Sequence, residues 1–311
     1  MLNEEQVKVG IAPIGWTNDD MPDLGGETPY QQTISEMALA GFSGSGLGNK
    51  YWDSTANNEG LQAQAKKLKG ELEQRDLVLT AASFATYFTA RGAKESTIKR
   101  FERLMFFLKE VGSGNLSVFE LGGSSHVQQD IPVFLNRPEF SDEQWQDMVD
   151  GLNELGKRAK ENGMKLLYHP HVGTGVQFDK EVKRLMDCTD HELVWLQLDI
   201  GHTVYAGGNP VKLIEDYADR IPHLHLKNIR KNVMDKSIAE KWSFLDGVRE
   251  GLFTVPGDED GMIDFEPIFQ ALGAKNFHGW LEVEAEQDPA KANPLEYAKK
   301  ARKYIRDNAK V

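Results

Sequence analysis

Four short apolar runs in the second half of the chain end in residues that bind metals or move protons: Leu166-Leu167-Tyr168-His169-Pro170-His171, Leu196-Gln197-Leu198-Asp199-Ile200-Gly201-His202, Ile221-Pro222-His223-Leu224-His225-Leu226-Lys227 and Trp280-Leu281-Glu282-Val283-Glu284-Ala285-Glu286. Imidazole and carboxylate donors without a thiolate suit a divalent metal such as Mn, Co, Mg or Zn. The candidate ligands are His169, Asp199, His225 and one glutamate of the last run. His171 competes with His169, because alternate residues of a strand share a face and Pro170 keeps the backbone extended. The same parity leaves Glu282, Glu284 and Glu286 equivalent. His202, beyond Gly201 where the chain leaves its strand, suits a proton carrier or a group that orients substrate. Lys227 and Arg230 could bind substrate oxygens or stabilise a developing enolate; solvated charge is their plainer reading. Glu120 ends an earlier strand-like run just before Gly122-Gly123-Ser124-Ser125 and is placed at the same mouth.

Positioning such residues takes a ring of strands, and the chain supplies one. Strand-like pieces lie near 8–13, 42–47, 77–82, 116–120, 165–169, 194–199, 222–226 and 280–284. Helical stretches fall between and after them, near 29–40, 57–74, 94–112, 142–162, 178–188, 210–218, 265–273 and 293–308. Eight βα units predict an α/β fold, a closed (β/α)8 TIM barrel whose active site sits at the C-terminal ends of the strands. The stretch 142–162 illustrates the reading. Ser141 and Gln144 match a capping box, Trp145, Met148, Val149, Leu152, Leu155 and Ala159 form one apolar face, and Gly163 supplies the stop. We expect one TIM-barrel domain over 1–311 with a helical insertion near 227–263, either a cover over the site or an excursion packed for stability.

The 311 residues are 40% hydrophobic and 27% charged, as in a soluble globular protein. The net charge of −12 disfavours nucleic acid as a partner. No apolar run approaches the length of a membrane span, so no membrane association is expected. No signal peptide is apparent and the single cysteine, Cys188, fits a reducing cytoplasm. No phosphate-loop or dinucleotide-binding glycine motif occurs, and Ser, Cys and His form no nucleophile motif. A homo-oligomer is compatible with this composition.

Several runs resemble the inosose dehydratase family, within the xylose-isomerase-like barrels. They are Gly10-Ile11-Ala12-Pro13-Ile14-Gly15-Trp16-Thr17-Asn18-Asp19-Asp20, Tyr168-His169-Pro170-His171-Val172-Gly173-Thr174-Gly175-Val176-Gln177, Asp199-Ile200-Gly201-His202, Phe253-Thr254-Val255-Pro256-Gly257-Asp258 and Glu282-Val283-Glu284-Ala285-Glu286-Gln287-Asp288-Pro289. The resemblance runs from residue 8 to about 305. It implies a barrel with Mn or Co held by His169, Asp199, His225 and Glu284, with His169 where sugar epimerases carry a glutamate. Two departures stand out. Gly46 occupies a position where the resemblance implies a carboxylate, and Pro170 replaces the middle member of a His triplet. Gly46 is therefore expected to alter substrate preference while leaving the metal untouched.

The implied activity is dehydration of 2-keto-myo-inositol (scyllo-inosose) to a trihydroxycyclohexane-1,2-dione in inositol catabolism. A metal makes the α-proton of a ketone removable, and acid–base groups expel the β-hydroxyl. His169 or His171, and Glu284 or His202, are the candidates for those two roles, with Lys227 at a developing oxyanion. A cyclitol is ringed by hydroxyls, so Trp16, Asn49, Lys50, Glu120 and Arg230 are expected to line its pocket. The alternatives are an isomerase or epimerase of a related sugar through the same enediolate, and a substrate-binding barrel without activity.

Overall fold

The structure, a computed structural model, describes residues 2–311. The chain begins with strand β1 (Val7–Ile11), helix α1 (Tyr30–Leu39), β2 (Gly44–Ser45), α2 (Asn58–Glu73), β3 (Val78–Leu79) and β4 (Ala82–Thr86). It continues through α3 (Lys94–Val111), β5 (Asn115–Glu120), α4 (Asp142–Glu161), β6 (Lys165–Tyr168), α5 (Asp179–Cys188) and β7 (Val194–Asp199). Next come α6 (Ile200–Tyr205), α7 (Pro210–Tyr217), β8 (His223–Leu226), β9 (Asn228–Ile229), α8 (Lys231–Ala239), α9 (Phe244–Arg249) and β10 (Phe253–Thr254). The chain ends with α10 (Glu266–Ala274), β11 (Gly279–Val283) and α11 (Pro294–Ala309).

The main sheet runs in the order β3-β2-β1-β11-β8-β7-β6-β5-β4, and its pairings are parallel. Its two terminal strands, β3 and β4, are pieces of one chain run, separated by Thr80 and Ala81. That run bonds β2 on one side, where Thr80 N donates to Ser45 O at 2.9 Å, and β5 on the other, so the sheet closes into a TIM barrel. β6 and β7 carry near-continuous apolar runs, as strands covered on both faces must.

Local chemistry sets the helix limits. Ser141 caps α4 by accepting from Gln144 N, and the Gln144 side chain returns a bond to Ser141 N. Its buried stripe of Trp145, Met148, Val149, Leu152, Leu155 and Ala159 is the face read from periodicity. Gly163 follows at φ +73°, a conformation that costs glycine little. The short helix α6 was not expected. It starts because the Asp199 carboxylate, at the end of β7, accepts from His202 N at 2.8 Å and acts as its N-cap.

The segment between β8 and α10 holds α8, α9 and an antiparallel β9–β10 pair. It is anchored by Arg230, which donates to Gly251 O, Phe253 O, Thr254 Oγ1 and Asp258 Oδ2. Phe244 and Phe253 from this segment pack on the histidines of the mouth, with ring centroids 5.1 Å (Phe244–His171) and 5.5 Å (Phe253–His202) apart. Among the described residues no helix is long and apolar enough to cross a membrane.

Candidate active site

Strand register brings the predicted ligands together. Asp199 at the end of β7 is the register partner of His225 in β8, and His169 follows β6 directly. Ligand atoms of His169, Asp199 and His225 lie within 4.8 Å of one another. Glu284, one residue beyond β11, places Oε2 3.5 Å from His225 Nδ1, and Asp199 Oδ2 is 3.4 Å from the same nitrogen. Two of the four side chains present a buried nitrogen without a hydrogen bond, His169 Nδ1 and His225 Nδ1, while Asp199 Oδ2 and Glu284 Oε2 are met by Lys227 Nζ at 3.3 and 2.6 Å. Buried polar atoms are normally satisfied, so two unpaired imidazole nitrogens beside two buried carboxylates, brought together from four strands, fit a cation held between them. Two nitrogens and two carboxylate oxygens suit a divalent metal.

Protonation is compatible with that use. Burial, then the charge of neighbouring His225, lowers the His169 pKa to about 3, leaving the ring neutral for ligation. Burial opposes protonation of His225 too, but Asp199 and Glu284 outweigh it and raise the pKa to about 10. Serving as a ligand therefore requires His225 to give up that proton. Burial pushes the Glu284 carboxyl up, whereas Lys227 and His225 pull it well below the carboxylate range. Glu286 moves the other way, raised by burial and by the charge on Glu284.

Lys227 is fully buried at the centre of this group. Its Nζ stands 2.6 Å from Glu284 Oε2, 2.8 Å from Glu286 Oε1 and 3.3 Å from Asp199 Oδ2. It also lies 2.9 Å from His202 Nε2. Burial works against its charge, but Asp199, Glu284 and Glu286 hold the pKa well above the ordinary lysine value. The rings of His171 and His202 pack at a tilt with centroids 3.7 Å apart, and burial keeps both neutral. His171 Nδ1 lies 2.8 Å from Val172 O. The carbonyl can only accept, so Nδ1 carries the proton and Nε2 is left with its lone pair.

A cavity of about 530 Å³ opens over this group, lined among others by His169, His171, His225, Glu282, Glu284, Glu286 and Asn49. Four residues expected to line it lie elsewhere. Trp16 is buried in the core, where its Nε1 donates to Glu36 Oε2 at 2.6 Å. Lys50 is exposed and ties a loop through Gly25 O, Gly26 O and Thr28 O. The Glu120 carboxylate is saturated by Thr86 Oγ1, Phe88 N, Thr89 N, Thr89 Oγ1 and Gly122 N, leaving nothing for a substrate. Arg230 is consumed by the insertion contacts described above. Lys227 and His202 stand behind the cavity wall, joined to its residues by the contacts above.

His126 went unrecognised in the sequence. It is buried beside the cavity, its ring 4.2 Å from that of His171 and its Nε2 3.2 Å from Asp20 Oδ2. Its signal was a histidine in the loop after a strand end, which no spacing rule singles out. The Gly46 expectation also changes. A Cβ at Gly46 would meet Glu282 Oε1 at 2.6 Å, so a carboxylate from β11 already occupies that corner.

The fold and this mouth define a class, and comparisons with known proteins place the chain in it. A profile of the xylose isomerase-like TIM barrel family matches residues 34–308. An inosose dehydratase of Clostridium beijerinckii is 50% identical over 307 residues, covering 99% of both chains. One of Bacillus cereus is 47% identical over 309 residues, again covering 99% of each. Among solved structures, a D-psicose 3-epimerase superposes with a TM-score of 0.70 at 14% identity, covering 97% of this chain and 99% of that one. A 3-keto-D-glucoside 4-epimerase from E. coli gives 0.64 at 17% identity, covering 94% and 99%. The chain belongs to the xylose isomerase-like TIM barrel family and, within it, to the inosose dehydratase group.

Proposed function

We propose that this protein is a hydro-lyase that removes water from 2-keto-myo-inositol and yields a trihydroxycyclohexane-1,2-dione. The observation that carries the reading is the convergence of His169, Asp199, His225 and Glu284 beside the neutral His171 ring under one cavity. The near-50% identity to inosose dehydratases over the full length supports it. His169, Asp199, His225 and Glu284 would hold the metal, Mn or Co, which when bound supplies Lewis acidity toward the ketone oxygen.

The protein's own groups handle the protons. His171, with Nδ1–H committed to Val172 O, accepts the α-proton at Nε2. The neutral His202 ring packed against it shields the site from bulk water, and Phe244 and Phe253 close the outer side. Beside His202, with Oε1 3.8 Å from His202 Nε2, Glu286, inclined toward protonation by burial and Glu284, is the proton source for the departing β-hydroxyl, and Lys227 links it to Glu284. One C–H and one C–O bond break, one water leaves, and the enol rearranges to the dione.

Incubation with 2-keto-myo-inositol and Mn or Co tests the proposal. Dione absorbance with loss of one water per turnover is expected. A product of unchanged mass would establish an isomerase or epimerase instead.

A further inference from the structure

The Glu282 carboxylate is built into the cavity wall with one oxygen spoken for and the other free. Its Oε2 accepts from Thr80 Oγ1 at 2.7 Å and lies 2.7 Å from His223 Nε2. Thr80 comes from the break between β3 and β4, across the barrel, and His223 opens β8 beside β11, so two separate pieces of the barrel fix the side chain. Oε1 takes no hydrogen bond from any described residue. It lies over Gly46, on the cavity side. Gly46 lies outside the left-handed region, so its backbone does not demand glycine. The carboxylate does: a Cβ there would approach Oε1 to 2.6 Å, against 3.4 Å or more to the next atoms, Ala12 Cα and Pro13 Cδ.

With Thr80 donating to Oε2 and His223 beside the same oxygen, Oε1 is the acceptor left for a ligand. The side chain is almost fully buried while Oε1 faces the cavity, so a ligand entering there is the group that can supply its donor. Glu282 is the register partner of His225, which sets it beside the proposed metal ligands.

Resting on the proposed function, we infer that Glu282 Oε1, admitted by Gly46, is a specificity-determining acceptor for one ring hydroxyl of the cyclitol. The site then selects substrates that carry a hydroxyl donor at that carbon and rejects those in which it is removed. Thr80 and His223 are positioning residues for this contact. A hydrogen bond to a charged acceptor corresponds to about ten- to a hundredfold in binding.

The test compares the full-length protein with E282Q and G46A, each loaded with Mn, on 2-keto-myo-inositol and on its single-deoxy analogues. Because Thr80 and His223 both direct hydrogen at one oxygen, glutamine keeps its carbonyl there and presents an amide N–H to the cavity. Alanine at 46 displaces Oε1 from the opposite side, so the two variants perturb the same atom independently. Each should raise KM for the parent substrate about tenfold or more, with kcat within about threefold and metal content unchanged. The starting protein should disfavour one deoxy analogue by a similar factor, and that penalty should shrink in both variants. If KM and the deoxy pattern are unchanged in both folded variants, the inference is overturned while the lyase reading stands. Loss of metal from E282Q overturns it by making Glu282 a ligand. Failure of the starting protein to turn over any inosose would remove the proposed function, and this inference with it.

Discussion

Replacing Lys227 by Met should destabilise the metal-free protein strongly and a metal-loaded one less. The ammonium is fully buried and within 3.3 Å of Glu284, Glu286 and Asp199. Removing it leaves three carboxylates facing only the proton on His225. Breaking one partner out of a buried ion pair costs about 3–5 kcal/mol, and protonation of Glu286 caps the loss near that range. A chain of this size loses about 2 °C of Tm per kcal/mol, so a fall of roughly 6–10 °C is expected. Scanning calorimetry in excess chelator, and again with saturating Mn, is the assay. With a cation restoring positive charge among the carboxylates, the difference should narrow. The variant should also lose about ten- to a hundredfold in kcat/KM, because Lys227 holds Glu284 and Glu286 in place from behind the cavity wall. A Tm unchanged in chelator would refute the claim that Lys227 neutralises this cluster, and an unchanged kcat/KM would remove it from the chemistry.

His171→Gln should lower kcat by roughly a hundred- to ten-thousandfold with little change in substrate affinity, measured by steady-state kinetics and calorimetric binding; retention of kcat would move the base elsewhere. Chelation should abolish turnover and Mn or Co should restore it, and full activity in chelator would remove the metal from the mechanism. Asp258→Asn should loosen the insertion, since Arg230 Nη2 and Lys300 Nζ lose their carboxylate partner at 2.7 and 2.9 Å. Burial raises the Asp258 carboxyl, but Thr254, Lys300 and Arg230 outweigh it and hold the pKa below its unfolded value. Its stabilising effect is therefore complete above pH ~4 and disappears as the pH falls through the folded-state value. Denaturant melts between pH 7 and pH 3 should show the stability gap between variant and parent narrowing with acid; a constant gap would show that the charge contributes nothing.

The eight staves and the helices between them were legible because their signals are local. Period and burial of apolar runs such as Leu166–Tyr168, and caps such as Ser141 with Gln144, depend only on nearby residues. The ends of β6, β7, β8 and β11 were legible too, since a strand turning polar at its C-terminus shows in one dimension. Helix α6 was missed because its cap is the Asp199 side chain, which the sequence offered as a ligand. Parity within Glu282-Val283-Glu284-Ala285-Glu286 put three carboxylates on one face but could not separate them. Distances across the barrel did: Glu282 meets Thr80 and His223, Glu284 meets His225 and Lys227, and Glu286 meets Lys227. Trp16, Lys50, Glu120 and Arg230 have the chemistry of substrate contacts, and only their partners in space show that this chemistry is already used. Residue type and spacing determine what a side chain can do and which way its strand faces it. What it meets depends on elements as far apart as residues 80 and 282, and that pairing exists only once the barrel closes.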